Sequence, residues 1–165
     1  MEQIENHAAY WVEKLELQPH PEGGYYREVY RSGDEVSIAG SNERKSAITS
    51  IYYLLEKSDF SAFNRISSDE IWYFHKGDAL IVHTLESEKG LNSVELSDDD
   101  SGIFSHVVKG GRWFSAELKE KKGFALVSCA VAPGFEFAEF ELAAKKELSA
   151  EFSSHAEIID RLCRL

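Results

Sequence analysis

From Tyr25 to Val131 the chain is a succession of short runs rich in aromatic and β-branched residues, separated by turn residues at Gly77-Asp78, Lys89-Gly90, Gly110-Gly111 and Gly123. Many short strands at close spacing restrict the fold to a β sandwich or barrel. Strands are predicted over 25–31, 46–55, 61–66, 70–75, 79–85, 93–96, 103–108, 112–118 and 124–131. Runs 61–66 and 70–75, with polar turn-type residues between them, read as a β-hairpin. Segment 32–45 is polar and contains glycine, so a mobile loop or flap is expected there.

The ends read as helical. Asn6 is placed to cap a helix over about 6–17, which Pro19 and Pro21 end. Between about 143 and 164, Ser154-His155-Ala156-Glu157 fits a capping box, and Ile158, Ile159, Leu162 and Leu165 supply an apolar face. The 165 residues suit one domain, with the strands spanning about 22–142.

A formal net charge of −11 and the absence of a basic run argue against nucleic acid and anionic membranes as partners. With no signal-like N-terminus and no long apolar run, a cytoplasmic location is expected. Cys129 and Cys163 form no C-x-x-C pattern and are expected as free thiols, Cys129 on a strand as a small buried residue.

Glu70 is the residue that draws attention. Strand alternation puts Glu70, Trp72 and Phe74 on one face and Ile71, Tyr73 and His75 on the other. A carboxylate sharing a face with Trp and Phe needs a partner, a metal or a raised pKa. Alternation in 25–31 similarly groups Tyr26, Glu28 and Tyr30 against Tyr25, Arg27, Val29 and Arg31, and either face can look inward. Arg27 and Arg31 read as surface or interface ion-pair residues.

Three strings carry a family resemblance: Leu17-Gln18-Pro19-His20-Pro21-Glu22-Gly23-Gly24-Tyr25-Tyr26-Arg27-Glu28, Ser68-Asp69-Glu70-Ile71-Trp72, and Val131-Ala132-Pro133-Gly134-Phe135-Glu136-Phe137. Together they resemble the cupin-5 family, also called DUF985, over nearly the whole chain. The resemblance implies a mainly β fold: the double-stranded β-helix, or jelly-roll, of RmlC-like cupins, with a short N-terminal helix and C-terminal helices. It also implies a homodimer, and it brings no established reaction.

Laid on the general cupin pattern, Glu70 and Gly77 fit the glutamate and glycine of the first motif, whose two histidines fall at Asn64 and Ile66. The second motif aligns at Lys109, Gly111 and Phe114. Many members of the family it resembles keep His at the Asn64 position and often Gln at the Phe114 position, so this chain departs from that pattern. Zinc, iron and manganese sites take three or four protein ligands, and Ile and Phe offer no lone pair. No cofactor is therefore expected; a divalent metal at Glu70, completed by His75, His83 or His106, is the lesser alternative.

The expected function is binding of a small molecule in a cavity lined by Asn64, Glu70, Trp72, Phe114, Tyr26, Glu28 and Tyr30. The alternative is a metal-independent isomerase or epimerase acting on a sugar-like or polar metabolite, with Glu70 as its catalytic acid–base residue. Metal-independent epimerases of the superfamily use a His–carboxylate pair and a Tyr; the sequence offers tyrosines but shows no evident pair. A metal-dependent cupin enzyme is the third reading.

Overall fold

The computed structural model describes residues 7–87 and 90–165, so the expected Asn6 cap and the Lys89 turn residue lie outside the described residues. Helix α1 (Ala8–Lys14) leads into strands β1 (Gln18–Pro19), β2 (Tyr25–Arg31), β3 (Glu35–Ser37), β4 (Arg44–Ser46), β5 (Thr49–Glu56), β6 (Phe60–Arg65) and β7 (Asp69–Gly77). Strands β8 (Leu80–Glu86), β9 (Gly90–Leu96), β10 (Ser105–Val108), β11 (Trp113–Leu118), β12 (Phe124–Ala132) and β13 (Glu141–Leu142) follow. Helices α2 (Lys145–Glu151) and α3 (Ala156–Leu162) close the chain.

The strands form two facing antiparallel sheets of the jelly-roll kind, in the orders β1-β2-β5-β12-β7-β10 and β13-β6-β11-β8-β9. Strands β6 and β7 belong to different sheets, so the predicted hairpin over 61–75 does not form. Residues 66–68 instead carry the chain from one sheet to the other, which a local turn pattern cannot distinguish from a hairpin. The crossing sets Asn64 of one sheet opposite Glu70 of the other.

Segment 32–45 is also not an unstructured flap. Its strands β3 and β4 pair with each other, Ser46 Oγ bonds the Ser32 carbonyl, and the Ser46 carbonyl accepts from Gly134 N–H at 2.7 Å. Polar residues alternating on a two-stranded ribbon have no core side to reveal them as strands.

Between the sheets the space is filled at one end. There Tyr53, Leu55, Trp72, Phe74, Ala125 and Val127 of the six-stranded sheet meet Leu80, Val82, Phe114, Ala116 and Leu118 of the five-stranded one. Alternation on β7 is as expected: Glu70, Trp72 and Phe74 are buried, whereas Tyr73 and His75 are exposed.

Each sheet also has a covered outer face. Leu54, Phe124, Leu126 and Tyr52 pack under Ala8, Trp11, Val12 and Leu15 of the α1 region. Phe63, Leu85 and Trp113 pack under Leu148, Phe152, Ile159 and Leu162 of the C-terminal helices.

The helix ends differ in detail from expectation. Helix α1 stops at Lys14, with Glu16 in the left-handed region (φ 53°), well before Pro19. Ser153–His155 form a 3-10 turn, which takes Ser154 out of the N-cap position of α3; His155 stands there without a side-chain cap bond.

Gly77, the motif glycine, has φ +107°, and a Cβ there would lie 2.1 Å from the Phe124 carbonyl oxygen. Only glycine lets β7 end so close to β12.

Candidate active site in the open end of the sandwich

The end of the sandwich opposite the filled core is hollow, with a cavity of about 280 Å³. The change from core to cavity falls within single strands. On β7, Glu70 lines the cavity and Trp72 lies in the core; on β5, Ile51 lines it and Tyr53 lies in the core. Strand β12 supplies Cys129 and Val131, β2 supplies Tyr26 and Glu28, and Asn64 and Ile66 approach from the other sheet. The segment after Pro133 adds Phe135, Phe137 and Phe140.

Of the residues expected at the site, Asn64, Glu70, Tyr26 and Glu28 come together around this cavity. Trp72 and Phe114 do not line it. They meet edge to face deeper in the core, with ring centroids 6.2 Å apart.

Tyr30 is likewise placed elsewhere and is 55% exposed. Register shifts between Glu28, opposite Ile51, and Tyr30, opposite Ser50, so Val29 is an extra residue that turns Tyr30 away from the cavity face.

Two cavity-lining side chains, Glu22 and His20, escaped the sequence reading. The turn His20–Gly24 is fixed by His20 N–H to the Gly24 carbonyl (2.9 Å), Tyr53 hydroxyl to the Gly23 carbonyl (2.7 Å) and Gly24 N–H to Asp59 Oδ2 (2.9 Å). Gly23, at φ +114°, passes so close to Phe60 that a Cβ would sit 2.1 Å from its carbonyl oxygen. This tight turn drives Glu22 into the protein, where it is 7% exposed. A carboxylate beside a Gly-Gly turn reads from sequence as solvated, and nothing local marks it as buried.

Asn64 explains its own departure from the motif. Its amide donates to Glu22 Oε2 at 2.7 Å and to the Ala62 carbonyl at 2.8 Å. A neutral imidazole has one N–H donor, whereas the Asn amide has two.

Burial raises the Glu22 carboxyl to about 8, and the Glu70 charge adds to the rise. Burial likewise raises Glu70 to about 7, only partly offset by the Cys129 thiol that bonds it. The thiol itself is pushed up by burial and by Glu70, so it is not a poised nucleophile.

His20 lies beside Glu22, with Nδ1 at 3.5 Å from Oε1 and accepting the Glu22 backbone N–H at 3.2 Å. That acceptor role puts the ring proton on Nε2. Burial lowers His20 to about 4, so it is neutral near pH 7, and Tyr26 packs edge to face on it at 4.5 Å.

The three histidines considered as compensating metal ligands lie outside the cavity lining. His75 contacts Ser128, and His83 contacts Ser93 and Glu117. Among the described residues no group of three or more His, Cys, Asp or Glu is arranged to hold a metal ion. At the motif positions, Ile66 and Phe114 offer no lone pair, which leaves the Asn64 amide oxygen and Glu70, with the Asn64 amide N–H donating to Glu22. The motif positions alone therefore fall short of the three or four ligands that a resident transition metal takes. Arg65, a conceivable partner for Glu70, instead pairs with Glu141 at 2.7 Å and stacks on Trp113 at 4.3 Å.

The aromatic segment over the cavity is held at several points. Arg31 bonds Glu28, Glu136 and the Phe135 carbonyl, each at 2.9 Å. Phe135 N–H donates to Thr49 Oγ1 at 2.9 Å, and buried Lys45 pairs with Glu139.

The fold agrees with comparisons to known proteins. A hypothetical protein from Leishmania major superposes with a TM-score of 0.88 at 31% identity, covering 96% of this chain and 99% of that one. A protein from Shewanella oneidensis gives 0.86 at 34% identity, covering 96% and 98%. Oxalate decarboxylase from Bacillus subtilis shares the fold alone, with a TM-score of 0.55 at 16% identity over 87% of this chain and 36% of its own. No curated protein matches the chain. Residues 9–143 match the sequence profile described as Cupin superfamily (DUF985), and the chain belongs to this cupin-5 family.

Proposed function

We propose that the cavity binds a small polar metabolite and rearranges it by proton transfer without a metal, as an isomerase or epimerase does. One observation carries this reading: two buried carboxyl groups, Glu22 and Glu70, share a small cavity and titrate near neutral pH, at about 8 and about 7. Paired titratable groups tuned to the working pH are the mark of acid–base sites.

Near pH 7 a fraction of Glu70 is ionised and can take a proton from an acidic C–H of the ligand. Glu22, still protonated, gives one to the oxygen or carbon where charge develops, so one proton enters the ligand as one leaves. The Asn64 amide steadies the Glu22 carboxylate that results. His20 and Tyr26 complete a His–carboxylate–Tyr grouping that the sequence did not reveal.

The test is a proton NMR screen of polar metabolites in D2O at pH 7.5. The wild-type protein is expected to wash deuterium into one bound compound, and Glu70→Gln to slow that exchange by about 10²–10⁴ with the compound held at a saturating concentration. A compound that binds wild-type protein without exchanging would reduce the function to ligand binding.

A second copy of the chain is proposed to cover the outer face of the six-stranded sheet beyond α1, where Tyr73, Val107, Ile103 and Phe104 are exposed. Light scattering behind size exclusion should give twice the mass of one chain, and Val107→Asp should lower it toward the monomer.

A further inference from the structure

We infer that the ligand recognised in this cavity is a compact organic cation, an amine or quaternary ammonium group, seated among the rings of His20, Tyr26, Phe137 and Phe140 with the Glu70 carboxyl behind it. The inference rests on the reading that this cavity is the binding site and narrows its ligand class.

The first support is charge. Glu22, Glu28 and Glu70 line the cavity, and among the described residues no Lys or Arg does. The cations nearest its rim already have partners, Arg31 with Glu28 and Glu136, and Lys45 with Glu139. An anionic ligand therefore meets no free Lys or Arg in the lining and would hold the buried Glu22 and Glu70 carboxyls in their neutral form, whereas a cation is met by the carboxylates it draws out.

The second support is Glu70 itself. It is 8% exposed and faces the cavity, and its bonding partner among the described residues is the Cys129 thiol, a weak donor. A buried carboxyl without an N–H donor or cation calls for one from the ligand.

The third support is the aromatic enclosure. His20 lies 4.5 Å from Tyr26, 6.1 Å from Phe137 and 5.7 Å from Phe140 between ring centroids, and Tyr26 lies 6.5 Å from Phe137. His20 thus contacts the other three rings, and an aromatic cluster beside carboxyls is the kind of surface that attracts ammonium groups through ring quadrupoles. A volume of about 280 Å³ suits a headgroup of that size.

Binding is also linked to protons. The titratable groups facing the ligand are Glu22, Glu28, Glu70, His20, Tyr26 and Cys129. A cation favours ionised carboxyls, so a protonated Glu22 or Glu70 releases its proton to solvent as the cation enters.

The experiment uses the full chain and two probes of the same shape, choline and its neutral isostere 3,3-dimethyl-1-butanol, titrated by calorimetry at pH 7.5 in two buffers of different ionisation enthalpy. Choline is expected to bind at least tenfold tighter than the isostere and to release up to one proton. Glu70→Gln should bring the two probes within about twofold of each other. Phe137→Leu, at a position 51% exposed and thus safe for folding, should weaken choline several-fold and the isostere little. Equal binding of both probes, or no choline binding at millimolar concentration, overturns the inference. If a neutral compound meanwhile exchanges protons in D2O, the proton-transfer reading stands and only the cationic class falls.

Discussion

Trp72→Ala should cost about 3–5 kcal/mol of folding stability, the range for emptying a large aromatic site in a packed core. Trp72 is 1% exposed and sits where the two sheets meet, with Tyr53 edge to face at 5.8 Å on one side and Phe114 at 6.2 Å on the other. Truncation removes both aromatic contacts and leaves a void adjoining the hollow end. Trp72→Phe should cost far less, because among the described residues the indole N–H has no hydrogen-bond partner to lose. Urea unfolding checks both. Equal losses in the two variants would mean that the indole nitrogen makes a bond after all, and a loss under 1 kcal/mol for Trp72→Ala would mean that the core collapses onto the gap.

Stability should fall as pH rises from 6.5 to 8.5. In the folded protein Glu22 and Glu70 keep their protons to about pH 8 and 7, whereas ordinary carboxyls release theirs near 4.5. The folded state thus binds more protons in this interval, and the contribution is fully present below pH 4.5 and lost as pH rises through 7 to 8. His20 and His83, lowered by burial to about 4, work oppositely: their contribution is present above 6.5 and lost as pH falls toward 4. Above 6.5 the carboxyls therefore set the trend, on the order of 2 kcal/mol, or several degrees in Tm. The two acids interact and titrate as a pair. The double variant Glu22→Gln/Glu70→Gln should flatten the curve and melt above wild type at pH 8.5. A wild-type Tm that stays level over this range would show that water reaches these carboxyls and relieves their burial.

Much of the fold was legible because strand alternation is a short-range signal. Run 25–31 coincides with β2, and 112–118 differs from β11 by a single residue. Pairing was less so: β6 and β7 are neighbours in sequence but occupy opposite sheets, and only the jelly-roll topology dictates the crossing.

At the site, Glu70 was conspicuous since a carboxylate on an aromatic face conflicts with burial. Tyr30 was misplaced by the Val29 bulge, and Trp72 and Phe114 share the cavity face but lie farther along their strands, a depth that periodicity does not encode. Glu22 and His20 enter from a turn held by distant partners, Asp59 among them, and Arg164 donating to the Glu22 carbonyl at 3.1 Å. Contacts spanning 35 and 142 positions leave no local trace.

The division of the sandwich into a filled and a hollow end has an evolutionary consequence. Because Glu70 and Trp72, or Ile51 and Tyr53, stand two residues apart, one strand carries both a core position and a cavity position without sharing a side chain between them. Substitutions at the hollow end are therefore expected to spare the filled end, and replacing Glu22 or Glu70 there to relieve the cost of burying an ionisable group. A scaffold so divided can vary the chemistry of its cavity while its core keeps the fold, and Asn64, donating to a glutamate from a neighbouring turn, belongs to the cavity side.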